Sequence, residues 1–291
     1  YGDMMRVPGS QSGTGGAGRK LPGTSSSLVG ERARGADIRV VYSSTDALTL
    51  ASELPARRVV FLAVGFETTS PGIAATALAA EREGVKNFHL LAAPKLIPPA
   101  LDAVLAGGAK LDGFLCPGHV SVIIGPQSYE PVAREHGVAC VVAGFEPPEV
   151  LLGLAMAAEQ IAEGRAEVEN AYRHAVTREG NAQARTVMNE VFEAVDADWR
   201  GLGTIPKSGL ALRERFSPMD AARAFDVDVP ESQEPPGCRC GEVLAGLIEP
   251  EECEMFARAC TPERPVGPCM VSSEGTCAAH FKYEFTRGGR Q

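Results

Sequence analysis

The chain has 291 residues, of which 44% are hydrophobic and 22% charged. This composition is typical of a globular protein and excludes wholesale disorder, collagen and coiled coil. Its 37 acidic and 28 basic residues give a net charge of −9, which disfavours a nucleic-acid partner because duplex binding requires a basic surface. No stretch approaches the roughly 18 apolar residues of a membrane span, so we expect no membrane contact.

The first part of the chain predicts one loop, a strand and a helix. The Gly-, Ser- and Pro-rich residues 8–30 indicate a loop, residues 38–43 a strand and residues 47–54 a helix. The chain begins at Tyr1 rather than Met and shows no signal-peptide pattern. We therefore expect a cytoplasmic protein whose first domain is truncated at its N-terminus.

Strands and helices then alternate. The predicted strands are 57–65, 87–93, 111–118 and 139–146, and the predicted helices are 73–83, 98–107 and 147–164, with a shorter helix between the last two strands. This alternation predicts a parallel sheet covered by helices, because parallel neighbours need crossover connections. The near-continuous apolar run at 57–65 is typical of a strand buried on both faces.

The pattern changes after Gly164. Residues 167–176 and 181–195 have helical spacing, 199–216 look irregular, 220–225 predict a short helix and 230–237 a Pro-rich linker. We expect an α/β protein with parallel-sheet domains covered by helices and a helical or irregular, cysteine-rich C-terminal domain. The expected divisions are 1–45 (the remainder of a truncated α/β domain), 46–145 (a second α/β domain) and 146–291 (the cysteine-rich domain).

A Gly-Phe-Glu triplet occurs twice, at 65–67 and 144–146. Each triplet follows a predicted strand and precedes a helix, and open α/β sheets bind ligands at that edge. We consider Glu67 a polar lining of such a cleft, with Thr68 or Thr69 capping the next helix, and we expect Glu146 to be structural. His119 follows the predicted strand at 111–118, and its imidazole suits either iron or a backbone hydrogen bond in a loop.

Six of the eight cysteines lie between Cys238 and Cys277, in the pattern Cys-x-Cys-x12-Cys-x6-Cys-x8-Cys-x7-Cys. An iron–sulfur cluster would use four thiolates and leave two as a redox pair. Zinc also binds four thiolates, but the usual CxxC pairs are missing from this stretch. Disulfides fit the number of cysteines but not the lack of a secretory segment. We expect Cys116 and Cys140 to be buried structural thiols.

Several long motifs resemble the HypD family of hydrogenase maturation factors. They are GFETTSPGIAATALA (65–79), LCPGHVSVIIG (115–125), CVVAGFEPPEVL (140–151), CRCGEVLAG (238–246), PEEC (250–253), CTPE (260–263) and GPCMVSSEGTC (267–277). The resemblance extends from residue 1 to about residue 284. It implies a cytoplasmic redox scaffold that works with a HypC-type chaperone and a HypE-type cyanide donor to assemble the Fe(CN)2(CO) unit of [NiFe] hydrogenases.

The resemblance also implies the site residues. A [4Fe–4S] cluster would be bound by Cys238, Cys253, Cys260 and Cys277, beside a redox-active pair formed by Cys240 and Cys269. Cys269 is the alternative to Cys277 as the fourth ligand. His119 and Glu67 would face the iron cargo.

This chain departs from the family in one respect. The family's upstream iron-contacting cysteine and its thiol pair have no counterpart, since no cysteine precedes Cys116. Two other functions stay open: a cluster-dependent thiol:disulfide oxidoreductase resembling ferredoxin:thioredoxin reductase, and a structural zinc module. No turnover reaction is visible in the residues, so we leave open whether the protein is an enzyme.

Overall fold

The computed structural model describes residues 28–199, 201–225, 236–273 and 275–285. The chain divides into a larger unit, residues 43–197 and 204–227, and a smaller unit, residues 1–42, 198–203 and 228–291. The first described helix is α1, Leu28–Ala33. The expected loop at 8–30 and linker at 230–237 lie outside the described residues, apart from their last three and last two residues. The expected domain boundaries stay a prediction.

The larger unit begins with two strand–helix repeats. Its elements are α2 (Ser44–Glu53), β1 (Val59–Gly65), α3 (Ser70–Glu83), β2 (Phe88–Pro94) and α4 (Ile97–Ala106). β1 and β2 are parallel, with Val59 opposite Phe88. The strands and helices predicted from 47 to 107 are therefore confirmed. The strand predicted at 38–43 is wrong: these residues form no strand, and Tyr42 is 93% exposed, so pairing would have little apolar burial to stabilise it.

β1 is buried on only one face. Phe61 and Ala63 lie in the core, whereas Val60, which precedes Phe61, is 41% exposed and Leu62, which lies between Phe61 and Ala63, is only half-buried. Side chains alternate between the two faces of a strand, so one face of the two-stranded sheet is packed and the other is open. The expected burial on both faces is therefore wrong for this strand.

The next part of the larger unit is a three-stranded parallel sheet in the order β3-β4-β5. Its elements are β3 (Gly113–Pro117), α5 (Gly118–Ile124), α6 (Glu130–His136), β4 (Ala139–Ala143), α7 (Pro147–Glu163) and β5 (Val168–Asn170). Every residue of β4 is buried. Side chains of α4 pack against the core that Cys116, Tyr129 and Val142 help to form. The sheet confirms the predicted parallel architecture.

The helix predicted at 167–176 is wrong because β5 occupies its first part. The backbone of this segment bonds to β4: Cys140 N donates to Glu167 O over 3.0 Å, and Ala171 N donates to Val142 O over 2.8 Å. Residues that follow β5 form turns rather than a helix. Pairing with a buried strand thus overrides the local helical spacing.

The last part of the larger unit contributes to a further, two-stranded sheet. α8 (Ala182–Val191) leads into β6 (Phe192–Trp199), which pairs with β7 (Gly203–Leu212), and the short helix α9 (Ala221–Ala224) follows. The predicted helix at 181–195 is thus too long, and the irregular segment predicted at 199–216 contains a strand. Pro206 and Gly209 lie inside β7, and both residue types are rare in strand interiors.

The smaller unit has only short elements near its cysteines: α10 (Cys240–Leu244), α11 (Thr276–His280), two 3-10 turns and a π-helical turn at Phe281–Phe285. Its buried cluster contains five of the tail cysteines together with Phe256 and Met270. The helical and irregular character expected of residues 146–291 holds for this tail only, because β5, β6 and β7 lie in the first part of that range. Within the described ranges, no helix is long and apolar enough to cross a membrane.

Candidate metal centre

One cavity in the smaller unit is lined by all six tail cysteines: Cys238, Cys240, Cys253, Cys260, Cys269 and Cys277. Val243, Met255, Phe256, Gly267 and Met270 complete the lining. Cys238 is half-buried and the other five thiols are buried. All eight cysteines of the chain are described, and all are free thiols. The cavity therefore combines a thiol donor set with apolar walls.

Short turns bring these thiols together. Cys240 opens α10, Cys253 follows the 3-10 turn Pro250–Glu252, Cys269 lies in the 3-10 turn Pro268–Met270 and Cys277 lies in α11. Cys260 closes a tight loop in which its N–H donates to Met255 O over 2.8 Å, and Ala257 has a φ of 55°. Cysteines separated by very different lengths of chain thus line the same cavity.

Four of the six thiols form a chain of contacts, in the order Cys238, Cys240, Cys269 and Cys277. The Sγ atoms of Cys269 and Cys277 are 3.2 Å apart, and Cys240 hydrogen-bonds with both Cys238 and Cys269. Cys269 therefore contacts both its expected redox partner and the expected fourth ligand. The choice between Cys269 and Cys277 as the fourth ligand stays a prediction.

Two of the tail thiols, Cys240 and Cys269, hold their protons strongly. The hydrogen bond with Cys238 lowers the pKa of Cys240, but its bond with Cys269 and burial outweigh that effect and raise the pKa to about 12. The pKa of Cys269 is also raised to about 12: its bond with Cys240 lowers it, whereas its bond with Cys277 and burial raise it. If Cys269 were the fourth ligand, metal binding would have to displace its proton, because the thiolate is the ligand.

Two glycines keep space beside the thiols. A Cβ at Gly267 would lie 2.7 Å from Cys238 Sγ, and a Cβ at Gly275 would lie 2.3 Å from the Cys269 carbonyl oxygen. Neither residue was singled out from the sequence. The signal was available, since Gly267 and Gly275 each precede a tail cysteine by two residues.

The donor set does not have the geometry of a site for one ion. Among the residues that the structure describes, no group of three or more His, Cys, Asp or Glu side chains is arranged to hold a metal ion. One backbone donor already points at a sulfur: Val266 N donates to Cys260 Sγ over 3.3 Å. Hydrogen bonds of this kind tune the potential of thiolate-bound clusters.

Glu67 belongs to the larger unit and is 1% exposed. Its Oε1 accepts a hydrogen bond of 2.9 Å from Ile97 N, at the first turn of α4. Its Oε2 is buried and has no hydrogen-bond partner among the described residues. Burial raises the pKa of Glu67 to about 7, against the effect of its backbone hydrogen bonds. This carboxyl group is therefore a buried helix cap that holds a proton near neutral pH.

His119 also lies in the larger unit, at the second residue of α5, and is exposed. Its ring centroid is 4.6 Å from that of Phe145. Cys116 and Cys140 are buried in β3 and β4, as expected of structural thiols. The hydrogen bond with Cys140, together with burial, raises the pKa of Cys116 well above its ordinary value.

The remaining residues of the two triplets have local roles. Thr69 occupies the N-cap of α3, but its hydroxyl donates to Phe66 O over 3.0 Å instead of capping the helix. The expected cap by this side chain is therefore wrong. Glu146 is the N-cap of α7, and its N–H donates to Glu149 Oε2 over 3.2 Å. This local role agrees with the structural interpretation of Glu146.

Comparison with known families gives a match over almost the whole chain. The family model of HypD, described as the hydrogenase formation hypA family, matches residues 1–284. The chain belongs to the HypD family. HypD relatives include the hydrogenase maturation factor HypD of Cupriavidus necator, which is 45% identical over 97% of this chain and 73% of its own length.

Two further relatives show similar coverage. The hydrogenase maturation factor HypD of Azotobacter vinelandii is 44% identical, over 97% of this chain and 73% of its own. A putative hydrogenase expression/formation protein of Methanocaldococcus jannaschii is 39% identical, over 97% of this chain and 75% of its own. The resemblance to HypD read from the motifs is therefore confirmed.

Proposed function

We propose that this chain acts in hydrogenase maturation as a cytoplasmic redox scaffold on which the Fe(CN)2(CO) unit is built. Its partners would be a HypC-type chaperone and a HypE-type cyanide donor. Curated relatives carry the name hydrogenase maturation factor HypD, which supports the overall role. The observation that carries the redox part is the convergence of six free thiols on one cavity.

The residues fit a [4Fe–4S] cluster bound by Cys238, Cys253, Cys260 and Cys277. Four thiolates are the ligand set of such a cluster, and each binds a different iron, so the sulfurs need not surround a single point. The missing side chain of Gly267 supports this fit, because a Cβ there would contact Cys238 Sγ. When bound, the cluster supplies one-electron redox chemistry.

Cys240 and Cys269 are left as the redox pair. Their hydrogen bond supports a reversible step in which the two thiols form one S–S bond and release two protons and two electrons to a redox partner. The bond with Cys269 raises the pKa of Cys240, the bond with Cys277 raises that of Cys269, and burial adds to both, so both groups stay thiols in the reduced state. Cys269 remains the alternative fourth ligand, since its sulfur is 3.2 Å from that of Cys277.

The iron cargo would bind in the larger unit. His119 is exposed at the carboxyl edge of the β3-β4-β5 sheet, where open α/β sheets bind ligands. A neutral imidazole can donate a lone pair to iron. Glu67 would contribute as a buried carboxyl group that accepts a hydrogen bond at the start of α4 and keeps a proton near neutral pH.

Iron and sulfide analysis under anaerobic conditions tests the cluster. We expect about four irons and four sulfides per chain and a broad visible band. Cys253→Ser should lose both, whereas Cys140→Ser, which removes a buried thiol of the larger unit, should keep them. A colourless, zinc-loaded protein would instead support the structural zinc module.

Binding of a purified HypC-type chaperone tests the scaffold. The alternative function, a cluster-dependent thiol:disulfide oxidoreductase, is favoured by the hydrogen bond between Cys240 and Cys269. A scaffold should bind the chaperone even when Cys240→Ser and Cys269→Ser remove the thiol pair. A cluster-containing chain that reduces protein disulfides but does not bind the chaperone would contradict the scaffold.

A further inference from the structure

The three parallel strands of the β3-β4-β5 sheet are each followed by an aromatic ring at the same position. His119 lies two residues after β3, Phe145 two residues after β4 and Tyr172 two residues after β5. Since the carboxyl ends of parallel strands share one edge, these rings form a row across that edge. We call His119, Phe145 and Tyr172 the aromatic ledge.

Two glycines allow the Tyr172 ring to pack against the backbone beside the other two rings of the ledge. The His119 and Phe145 centroids are 4.6 Å apart. A Cβ at Gly118 would lie 2.6 Å from Tyr172 Cδ1, and a Cβ at Gly144 would lie 2.7 Å from Tyr172 Cε2. The Tyr172 ring therefore rests against the backbone that directly precedes both His119 and Phe145, a position that any larger residue would disturb.

Tyr172 is itself held firmly. Its N–H donates to Asn170 Oδ1 over 2.9 Å, and Asn170 Nδ2 donates to Val176 O over 2.9 Å. Its side chain packs against the core of the larger unit. Ala171 N is bonded to β4 through Val142 O at 2.8 Å. A ring fixed to the sheet in this way can fix the glycine turns that it contacts.

We propose that Tyr172 is the positioning residue of His119: packed against Gly118 and Gly144, its ring holds the turn from which the imidazole meets the iron cargo. This inference rests on the proposed function for the nature of the cargo. Binding is a ligand substitution: a water molecule leaves the iron, an imidazole nitrogen donates its lone pair, and the oxidation state of the iron does not change. Tyr172 acts through Gly118, which sets the direction of His119.

Pentacyanoferrate(II), which carries one exchangeable water, is a suitable probe for the full chain. Its binding is followed in the visible spectrum, and the infrared cyanide stretch of the adduct reports the environment of the iron. We expect His119→Gln to remove the main adduct. His136→Gln, which changes a histidine paired with Asp102 at 2.7 Å, should leave it unchanged.

The role of Tyr172 is tested by three variants. Tyr172→Ala should weaken the His119 adduct about tenfold or more, the usual effect of removing a group that orients a ligand, and should shift the cyanide stretch. Tyr172→Phe keeps the ring and should restore both. Tyr172→Leu keeps apolar bulk without the ring and should also weaken the adduct. It provides the test if the alanine variant does not fold.

Two results would overturn the inference. If Tyr172→Ala and Tyr172→Leu fold and bind the probe as the original chain does, Tyr172 does not position His119. If His119→Gln leaves the adduct intact, the ledge is not the site. Neither result would affect cluster content or chaperone binding, so failure of this inference is distinguishable from failure of the proposed function.

Discussion

Replacing Glu67 with glutamine should remove a pH dependence of stability from the larger unit. The pKa of Glu67 lies at about 7 in the folded chain, against an ordinary value of 4.5, because the carboxyl group is buried. The folded chain therefore holds a proton that the unfolded chain loses at lower pH. Stability from this group is complete below the unfolded pKa and is lost as the pH rises through about 7.

The size of the effect follows from the two pKa values. Each pKa unit corresponds to about 1.4 kcal/mol, and linkage between these values gives a loss of about 2.5 kcal/mol between about pH 5 and about pH 8. Glu67→Gln cannot ionise, so its free energy of unfolding should lack this part of the decline. Urea titrations at several pH values measure the difference between the two chains.

Glu146 provides the matched control, since it occupies the same place in the second Gly-Phe-Glu triplet but is exposed. Glu146→Gln should leave the pH profile as it is. The titrations compare how the free energy of unfolding changes with pH, so a constant cost from burying an amide does not affect the result. Parallel pH profiles for the original chain and Glu67→Gln would refute the assignment of a buried, protonated carboxyl group.

Three further substitutions test packing. Gly267→Ala, which places a Cβ 2.7 Å from Cys238 Sγ, should lower the iron retained per chain during anaerobic chelation; unchanged retention would show that Gly267 is not needed to make room for the cluster. Gly275→Ala, 2.3 Å from the Cys269 carbonyl, should destabilise the smaller unit by about 1–3 kcal/mol, measured by thermal unfolding. Asn181→Ala removes the N-cap of α8 and should cost about 1 kcal/mol in urea without altering iron content.

The part of the fold that follows from local sequence was predictable. β1 to β4 and their helices were found because apolar runs, glycines and helical spacing agree there. β5 was missed because its three residues carry little signal, and its conformation depends on pairing with β4. β7 was missed because Pro206 and Gly209 interrupt its pattern. Only β5 depends on a distant partner, since its Val168 pairs with Cys140; β7 pairs with β6, which directly precedes it, and is hidden by its own composition.

The candidate site was likewise predictable only in part from the sequence. Convergence of the tail cysteines was expected from their number and from the family motifs, and all six line one cavity. The burial of Glu67 was not visible, because an Oε1 bond to Ile97 joins residues thirty positions apart. Tyr172 was placed inside a predicted helix, so its position at the sheet edge could not be seen.

The smaller unit packs sulfur where a domain usually packs leucine or isoleucine. Adding oxygen to any of these thiols would place a polar group in the middle of the packed cluster, and burying such a group without partners is costly. Exposure to air therefore threatens the conformation of the tail itself, as well as any reaction it supports. Chains purified with and without oxygen should be compared first for folding, before any loss of activity is interpreted.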